Sequence, residues 1–323
     1  MKKILICLYL LLSFTLISCS KPVQMENYQF YAMDTVISIR FYNVENSQMI
    51  AKEVEQIYIS YHNVADDFNT GKKENSCYDL NQKRSLEMSD SFIELLSFGL
   101  EMKKTTGGYY NPFIGRLSHL WKDALANGLL VDDAIISAEL AIMNSSEVII
   151  DGNMVQLQGE GNLDLGGIAK GYATKKVQEY LASIDCHSYL LNAGNSTIVL
   201  GDKANEAFTV GLSKATDNDY YKVLQLKHKA IGTSSVREQH YFINGELYSH
   251  LLDTKTGKPA KSYDSISIIG EDASLLDALS TACFSMSIDQ IEALLKTFGY
   301  DFICSKNNAL LYQSAGVQAY EKN

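Results

Sequence analysis

Between residues 188 and 252 the chain offers six short β-like runs with no helical segment between them, at 188–191, 197–200, 208–211, 222–226, 241–243 and 248–252. Parallel neighbours need long crossover connections, so runs spaced this closely are read as antiparallel strands. Helical spacing of apolar residues marks 47–64, 90–104 with Ser89 or Asp90 as cap, 115–126, 133–142, 168–183, 274–286 and 289–298. Further strands are expected at 35–42, 265–269, 301–304 and 309–312, and a hairpin at 148–151 and 154–158 around Gly152-Asn153. Helices and strands mix without regular βαβ alternation, which predicts an α+β fold with antiparallel sheets flanked by helices rather than a doubly wound one.

The N-terminus reads as a targeting segment. Lys2 and Lys3 precede an apolar run at 4–17, shorter than the roughly 20 residues of a membrane span and matched to a secretory signal. It ends in Leu16-Ile17-Ser18-Cys19, like a bacterial lipobox in which Cys19 is acylated; an ordinary signal peptide with an incidental cysteine is the other reading. Residues 1–18 are thus expected to be a lipoprotein signal peptide, 19–27 a lipidated tether and 28–323 one domain, exported and lipid-anchored to a bacterial membrane, on the periplasmic side. The net charge is −10, and −12 once Lys2 and Lys3 leave with the leader. Such a balance disfavours nucleic acid and anionic lipid surfaces as partners, so any phosphate site has to be local. Cys77, Cys186, Cys283 and Cys304 are widely spaced without a CxxC; they read as buried thiols, with one disulfide left open.

Four stretches carry chemistry. In Asp164-Leu165-Gly166-Gly167-Ile168-Ala169-Lys170-Gly171, an aspartate and two glycines lead into a helix with a cation beside it. This is read either as a phosphate cradle at a helix start or as a plain strand–turn–helix junction. Asp277 and Thr281 stand four apart on a predicted helix and share a face, with Ser280 at its edge. Oxygen groups in this arrangement suit a hard cation, Mg²⁺ or Ca²⁺; a first-turn acid with a back-bonded threonine is the plainer alternative. His250 leaves a strand just before the turn Asp253-Thr254-Lys255-Thr256-Gly257-Lys258-Pro259 and suits a general base, or a histidine with a polar partner. In the aromatic turn after Gly107-Gly108, Tyr109 and Tyr110 suit ring stacking and Asn111 a polar ring edge, or else all three are core.

Taken in order, Met33-Asp34-Thr35, GGYYNPFIGRLSHLW, DLGGIAKGYATKKV, LLNAGNSTIVLG, GTSSVREQHYF, YSHLLDTKTGKP and DALSTACF resemble the ApbE family over nearly the whole chain after the leader. The resemblance implies an FAD:protein FMN transferase with its FAD site in a central cleft. It would use FAD as substrate and Mg²⁺, move FMN onto a threonine hydroxyl of an exported or membrane acceptor flavoprotein, and release AMP. It implies FAD contacts at Met33, Tyr109, Tyr110, Asn111, Asp164, Lys170 and Leu252. Metal ligands are implied at the Gly167 carbonyl, Asp277 and Thr281 with Ser280 beside them, and an activating base at His250. Three departures stand out. Asp34 and Asn195 occupy places where the family commonly has glycine. The 68–76 region lacks a clear counterpart of the aromatic that covers the flavin, Phe68 being the nearest. Two other readings follow: a Mg²⁺-dependent FAD pyrophosphatase giving FMN and AMP, favoured by an open flavin site, and a non-catalytic flavin-binding lipoprotein.

Overall fold

The computed structural model describes residues 24–68, 75–203 and 206–321. Residues 1–18, expected to be a signal peptide, Cys19 and residues 69–74 lie outside the described residues. In chain order the elements are β1 (Met25–Ala32), β2 (Thr35–Tyr42), α1 (Ser47–Ala65), α2 (Cys77–Lys83), β3 (Ser85–Glu87), α3 (Asp90–Thr105), α4 (Gly115–Ala126), α5 (Asp133–Ser145), β4 (Glu147–Asp151) and β5 (Met154–Gln158). Then follow α6 (Gly166–Ser183), β6 (Tyr189–Ala193), β7 (Thr197–Leu200), β8 (Phe208–Ser213), β9 (Tyr220–Leu226), β10 (Lys229–Ser235), β11 (His240–Ile243), β12 (Glu246–Ser249), β13 (Leu252–Asp253) and β14 (Lys258–Pro259). The chain closes with β15 (Ser265–Gly270), α7 (Ala273–Cys283), α8 (Ile288–Lys296), β16 (Asp301–Lys306) and β17 (Ala309–Gln313).

An eight-stranded sheet in the order β1-β2-β6-β7-β10-β15-β16-β17 forms the frame, and every neighbouring pair in it is antiparallel. Side chains alternate across it. Ile37, Ile39, Ala230, Ile266, Ile268 and Phe302 face a core shared with α1, α6 and α7. Ile231, Ile269 and Ile303 face the other way, onto Phe208, Val210 and Leu224 of the β8–β9 hairpin. The sheet is therefore covered on both faces, which explains why all six residues of β15 are buried. The four cysteines among the described residues, Cys77, Cys186, Cys283 and Cys304, are free and buried.

The elements missing from the sequence reading each have a local reason. β10 reads Lys-Ala-Ile-Gly-Thr-Ser-Ser and is buried through small residues, without an apolar–polar alternation. β1 is an edge strand that begins at Met25, three residues inside the stretch expected to be tether. α2 is a seven-residue helix set by a capping box between Ser76 and Asp79. β1 and β2 are joined by two residues, Met33 (φ 51°) and Asp34 (φ 58°), both left-handed as a type I′ hairpin turn requires. Asn195 (φ 63°) is left-handed as well. Both departures from glycine thus fall on Asp and Asn, the side chains that tolerate that conformation best.

Helix α7 is wedged between α6 and β10 at two glycines. A β-carbon on Gly171 would lie 2.2 Å from Cβ of Asp277 and 2.6 Å from the Ala273 carbonyl. One on Gly232 would lie 2.5 Å from the Leu276 backbone. The contact is closed on both sides, so neither helix nor strand can yield without moving the other. Gly171→Ala is expected to destabilise the fold by about 1–3 kcal/mol, the usual cost of overpacking a tight core. Chemical denaturation checks this, and an unchanged midpoint would show that the wedge is not tight.

Candidate active site

The wedge delivers α7 to one end of a cavity of about 580 Å³. The cavity is lined by Met33 from the β1–β2 turn, Tyr109, Tyr110 and Asn111, Asp164, Gly167 and Lys170, His250 and Leu252, and Asp277 and Thr281. Of the residues singled out in the sequence, Ser280 alone does not line it. Its side chain is fully buried (0% exposed), pairs with the Ser234 hydroxyl at 2.9 Å and donates to the Asp277 carbonyl at 3.0 Å. At three residues from Asp277 it has turned off the shared face, so the metal-ligand expectation for Ser280 is corrected to a structural role.

The glycines of the 164–171 run are also reassigned. α6 begins at Gly166, so both glycines lie in its first turn. The Gly166 amide donates to Asp164 Oδ1 at 2.8 Å, and this bond takes up one of the amides that an anion cradle would use. Asp164 Oδ2 accepts from Ser118 at 2.7 Å. What Gly167 offers is its carbonyl, which accepts from Thr281 Oγ1 at 3.1 Å. A methyl at Gly167 would press on Thr281 Cγ2 at 3.3 Å.

Asp277 is 5% exposed, and its Oδ2 accepts from the Gly171 amide at 2.7 Å. Burial pushes its carboxyl up to about 6, with Glu238 adding to the rise and Lys170 and the Gly171 amide opposing it. A carboxylate so placed favours a cation beside it. Among the described residues no group of three or more His, Cys, Asp or Glu converges. The donors available next to Asp277 are thus the Gly167 carbonyl and the Thr281 hydroxyl. One carboxylate with neutral oxygens fits a hard ion such as Mg²⁺ that keeps further positions for substrate phosphate or water, and does not fit zinc or a soft metal.

His250 is held by its backbone neighbours. Its Nδ1 lies 2.8 Å from the Gln239 carbonyl. A carbonyl accepts only, so Nδ1 carries the hydrogen and Nε2 is left as the basic nitrogen. Burial lowers the imidazole below its ordinary value, with Lys170 adding to the effect. Lys170 itself pairs with Glu238 at 3.9 Å. Glu238 and Gln239 belong to the quoted GTSSVREQHYF run but were not singled out, because nothing in the spacing of a polar loop shows which residue turns inward. Arg237 anchors that loop through the Lys214 carbonyl at 3.1 Å and the Asn218 side chain at 2.8 Å.

The aromatic turn is tied to the 253–259 turn. Thr254 donates to the Gly108 carbonyl at 2.6 Å, Lys255 to the Gly107 carbonyl at 2.6 Å, and Trp121 Nε1 to the Gly257 carbonyl at 2.7 Å. Asp253 accepts from the Lys255 amide and the Thr256 hydroxyl, which makes it a turn residue as its sequence suggested. Asn111 is buried and closes its own turn by accepting from the Phe113 amide at 3.1 Å. Tyr109 presents a half-buried ring, and its hydroxyl accepts from Gln290 at 3.0 Å. Tyr110 is buried at 4%; a β-carbon on Gly99 would lie 3.5 Å from its hydroxyl, and one on Gly167 would lie 3.7 Å from its ring.

A further wall is built on Phe68, which the sequence offered as the nearest candidate for the aromatic over the flavin. Phe68 lines the cavity and stacks on His119, with centroids 4.3 Å apart and planes 14° from parallel. Lys122 Nζ sits 3.7 Å from the Phe68 centroid. Buried Asp67 binds His119 Nε2 at 2.7 Å. That hydrogen bond raises the His119 imidazole, while burial raises Asp67. His119 and Lys122 come from α4 and Phe68 from beyond the end of α1, so sequence spacing gave no sign that they meet.

Comparison with known proteins places this geometry. Residues 33–304 match the model of the ApbE family. The chain is 26% identical over 305 residues to the FAD:protein FMN transferase of Klebsiella pneumoniae (strain 342), covering 88% of this chain and 93% of that protein. It is 28% identical over 248 residues to the FAD:protein FMN transferase of Treponema pallidum (strain Nichols), covering 70% of this chain and 68% of that protein. Among solved structures, the ApbE protein of Thermotoga maritima superposes with a TM-score of 0.82 at 24% identity, over 93% of this chain and all (100%) of that one. The flavin transferase ApbE of Vibrio cholerae gives 0.74 at 18% identity, over 93% and 100%. These likenesses establish the α+β architecture.

One consequence of the His250 environment is directly measurable. Its ring is expected to titrate below pH 6.5, the ordinary histidine value, with the neutral form protonated at Nδ1. Histidine-ring NMR tests both points; a midpoint above 6.5, or an Nε2–H tautomer, would contradict the geometry.

Proposed function

Because the chain belongs to the ApbE family, we propose that it is a Mg²⁺-dependent flavin transferase that moves the FMN half of FAD onto a threonine hydroxyl of an exported or membrane flavoprotein. The observation that carries this reading is one cavity that holds a basic imidazole, an ammonium and a hard-cation donor set together: His250, Lys170, and Asp277 with Thr281 and the Gly167 carbonyl.

The division of labour follows from the chemistry. Asp277, Thr281 and the Gly167 carbonyl would hold Mg²⁺, which supplies Lewis-acid polarisation of phosphoryl oxygens when bound. Lys170 neutralises the diphosphate, and Glu238 keeps its ammonium directed into the cavity. Nε2 of His250 takes the proton as the threonine oxygen attacks the FMN phosphorus. A phosphoester bond forms, the bond between the two phosphates breaks, and AMP leaves with its electron pair. Met33, Tyr109, Leu252 and Phe68 supply apolar wall for the rings of the dinucleotide. No electron moves, so flavin is cargo.

Hydrolysis would use the same groups with water in place of threonine. Phe68, backed by His119, supplies the aromatic wall that the sequence left in doubt, and this favours transfer. A non-catalytic flavin carrier would leave the buried carboxylate of Asp277, which has no ion-pair partner among the described residues, without a chemical role.

A single assay separates the three: the mature protein with FAD, Mg²⁺ and a threonine-bearing acceptor peptide. Covalent fluorescent flavin on the peptide is expected. Free FMN with unmodified peptide would indicate hydrolysis, and unchanged FAD a carrier. In this assay Asp277→Ala should abolish Mg²⁺-dependent turnover, and His250→Ala should lower kcat by about 10²-fold or more, with far less effect on FAD binding. Phe68→Ala should raise the share of free FMN. We also propose that Cys19 carries the lipid anchor, so Cys19→Ala should move the protein from the membrane to the soluble fraction; retention in the membrane would exclude that site.

A further inference from the structure

On the far side of the Gly107–Asn111 loop from the substrate cavity lies a second cleft, lined by Lys103, Lys104, Lys255, Asn111, Asn144 and Thr254 among others. Asn111 and Thr254 line both hollows, so one loop separates them. No carboxylate lines the cleft. In a chain of net charge −10 this is unusual: elsewhere lysines such as Lys175, Lys176, Lys258 and Lys261 sit in ion pairs. Lys103 and Lys104 make none among the described residues.

Each lysine is held differently. Lys103 is half-buried, with Nζ 4.8 Å from the Phe113 ring centroid. Burial lowers its ammonium, and Glu147 opposes this from beyond ion-pair range. Lys104 is exposed at the end of α3. Lys255 lies over the Tyr109 ring at 4.9 Å. The backbone contributes little: the Gly107 amide donates to the Lys104 carbonyl at 3.1 Å and the Gly108 amide to the Lys103 carbonyl at 2.8 Å. Both glycine amides are therefore spent, and the helix end here is a carbonyl end. A phosphate seeks free amides and a helix N-terminus. Separate ammonium groups without a nest of free amides instead suit carboxylates carried along a chain.

We propose that this cleft receives a carboxylate-bearing segment of the acceptor polypeptide, and that it is a determinant of acceptor choice. The inference rests on the transfer reading above. An acidic segment seated on Lys103 and Lys104 would run beside the loop that carries Tyr109 to Asn111, one loop's width from the cavity. The long-range field of the rest of this acidic chain repels such a segment, so attraction at the cleft discriminates in its favour.

The test compares two threonine-bearing acceptor peptides, one flanked by Asp and Glu and the other by Asn and Gln. The enzymes are the wild type, Lys103→Glu/Lys104→Glu and Lys103→Met/Lys104→Met, each with FAD and Mg²⁺. With wild type, the acidic peptide should show a KM about 10-fold lower, and the gap should narrow at high salt. Both double variants should lose that gap while keeping wild-type FAD affinity and saturating kcat; the methionine pair serves should the glutamate pair fail to fold. A preference retained in the variants overturns the inference. So does a parallel loss of FAD affinity, which would make the cleft part of the dinucleotide site, or equal competition by millimolar inorganic phosphate, which would make it a general anion site. If wild type flavinylates neither peptide, the transfer reading itself falls, a result distinct from flavinylation without preference.

Discussion

The constraint on which the rest depends is the absence of two β-carbons. Gly171 on α6 and Gly232 on β10 let α7 approach both to within the distance a single methyl would fill. That approach brings the Asp277 carboxylate onto the Gly171 amide. It also sets Thr281, one turn later, against the Gly167 carbonyl. The site is a by-product of packing in this sense: once α7 is seated, its two oxygen-bearing side chains have no other place to be. The desolvation that raises Asp277 to about 6 comes from the same contact, so the raised carboxyl and the tightness of the core share one origin.

The electrostatics are local, as an acidic chain requires. Lys170 is flanked by Glu238 and acts on Asp277 and His250 together. Its ammonium opposes the rise that burial gives the Asp277 carboxyl and adds to burial in lowering the His250 imidazole. The carboxylate and the imidazole thus both feel one side chain at the junction of α6 with the loop before β11.

Much of this was legible in the sequence, and the limits are physical. Periodicity located α1, α3, α4 and α6 nearly to the residue, since an amphipathic face repeats regardless of its partner. β10 was not visible because its burial is achieved by Gly, Thr and Ser. Side chains brought together by one helix, such as Asp277 and Thr281, follow from spacing; Ser280 shows the limit, for one residue of rotation took it out of the cavity. Contacts between distant segments had no local sign. Glu238 facing Lys170, and Phe68 facing His119, depend on how the loop after β10 and the end of α1 return to the core. The glycines of the 164–171 run carried a true signal, although the run alone left a phosphate cradle and a plain junction both open. Gly171 is there for helix packing and Gly167 for its carbonyl, while the amide of Gly166 is already committed.

The bonds between the 253–259 turn and the aromatic turn have a consequence for how a ligand gets in. Trp121, Thr254 and Lys255 fasten His250's own loop to Tyr109 and to α4 by direct hydrogen bonds. The Phe68 ring, across the cavity, is kept in place by ring stacking and a cation over its face. Two ring contacts slide at little cost, whereas the hydrogen bonds of Trp121 and Thr254, both buried, resist sliding. The cavity is thus stiff along the jaw that carries the base and compliant along the opposite one. On the proposed function, a dinucleotide would be threaded in past Phe68, against the stiffer wall that carries His250.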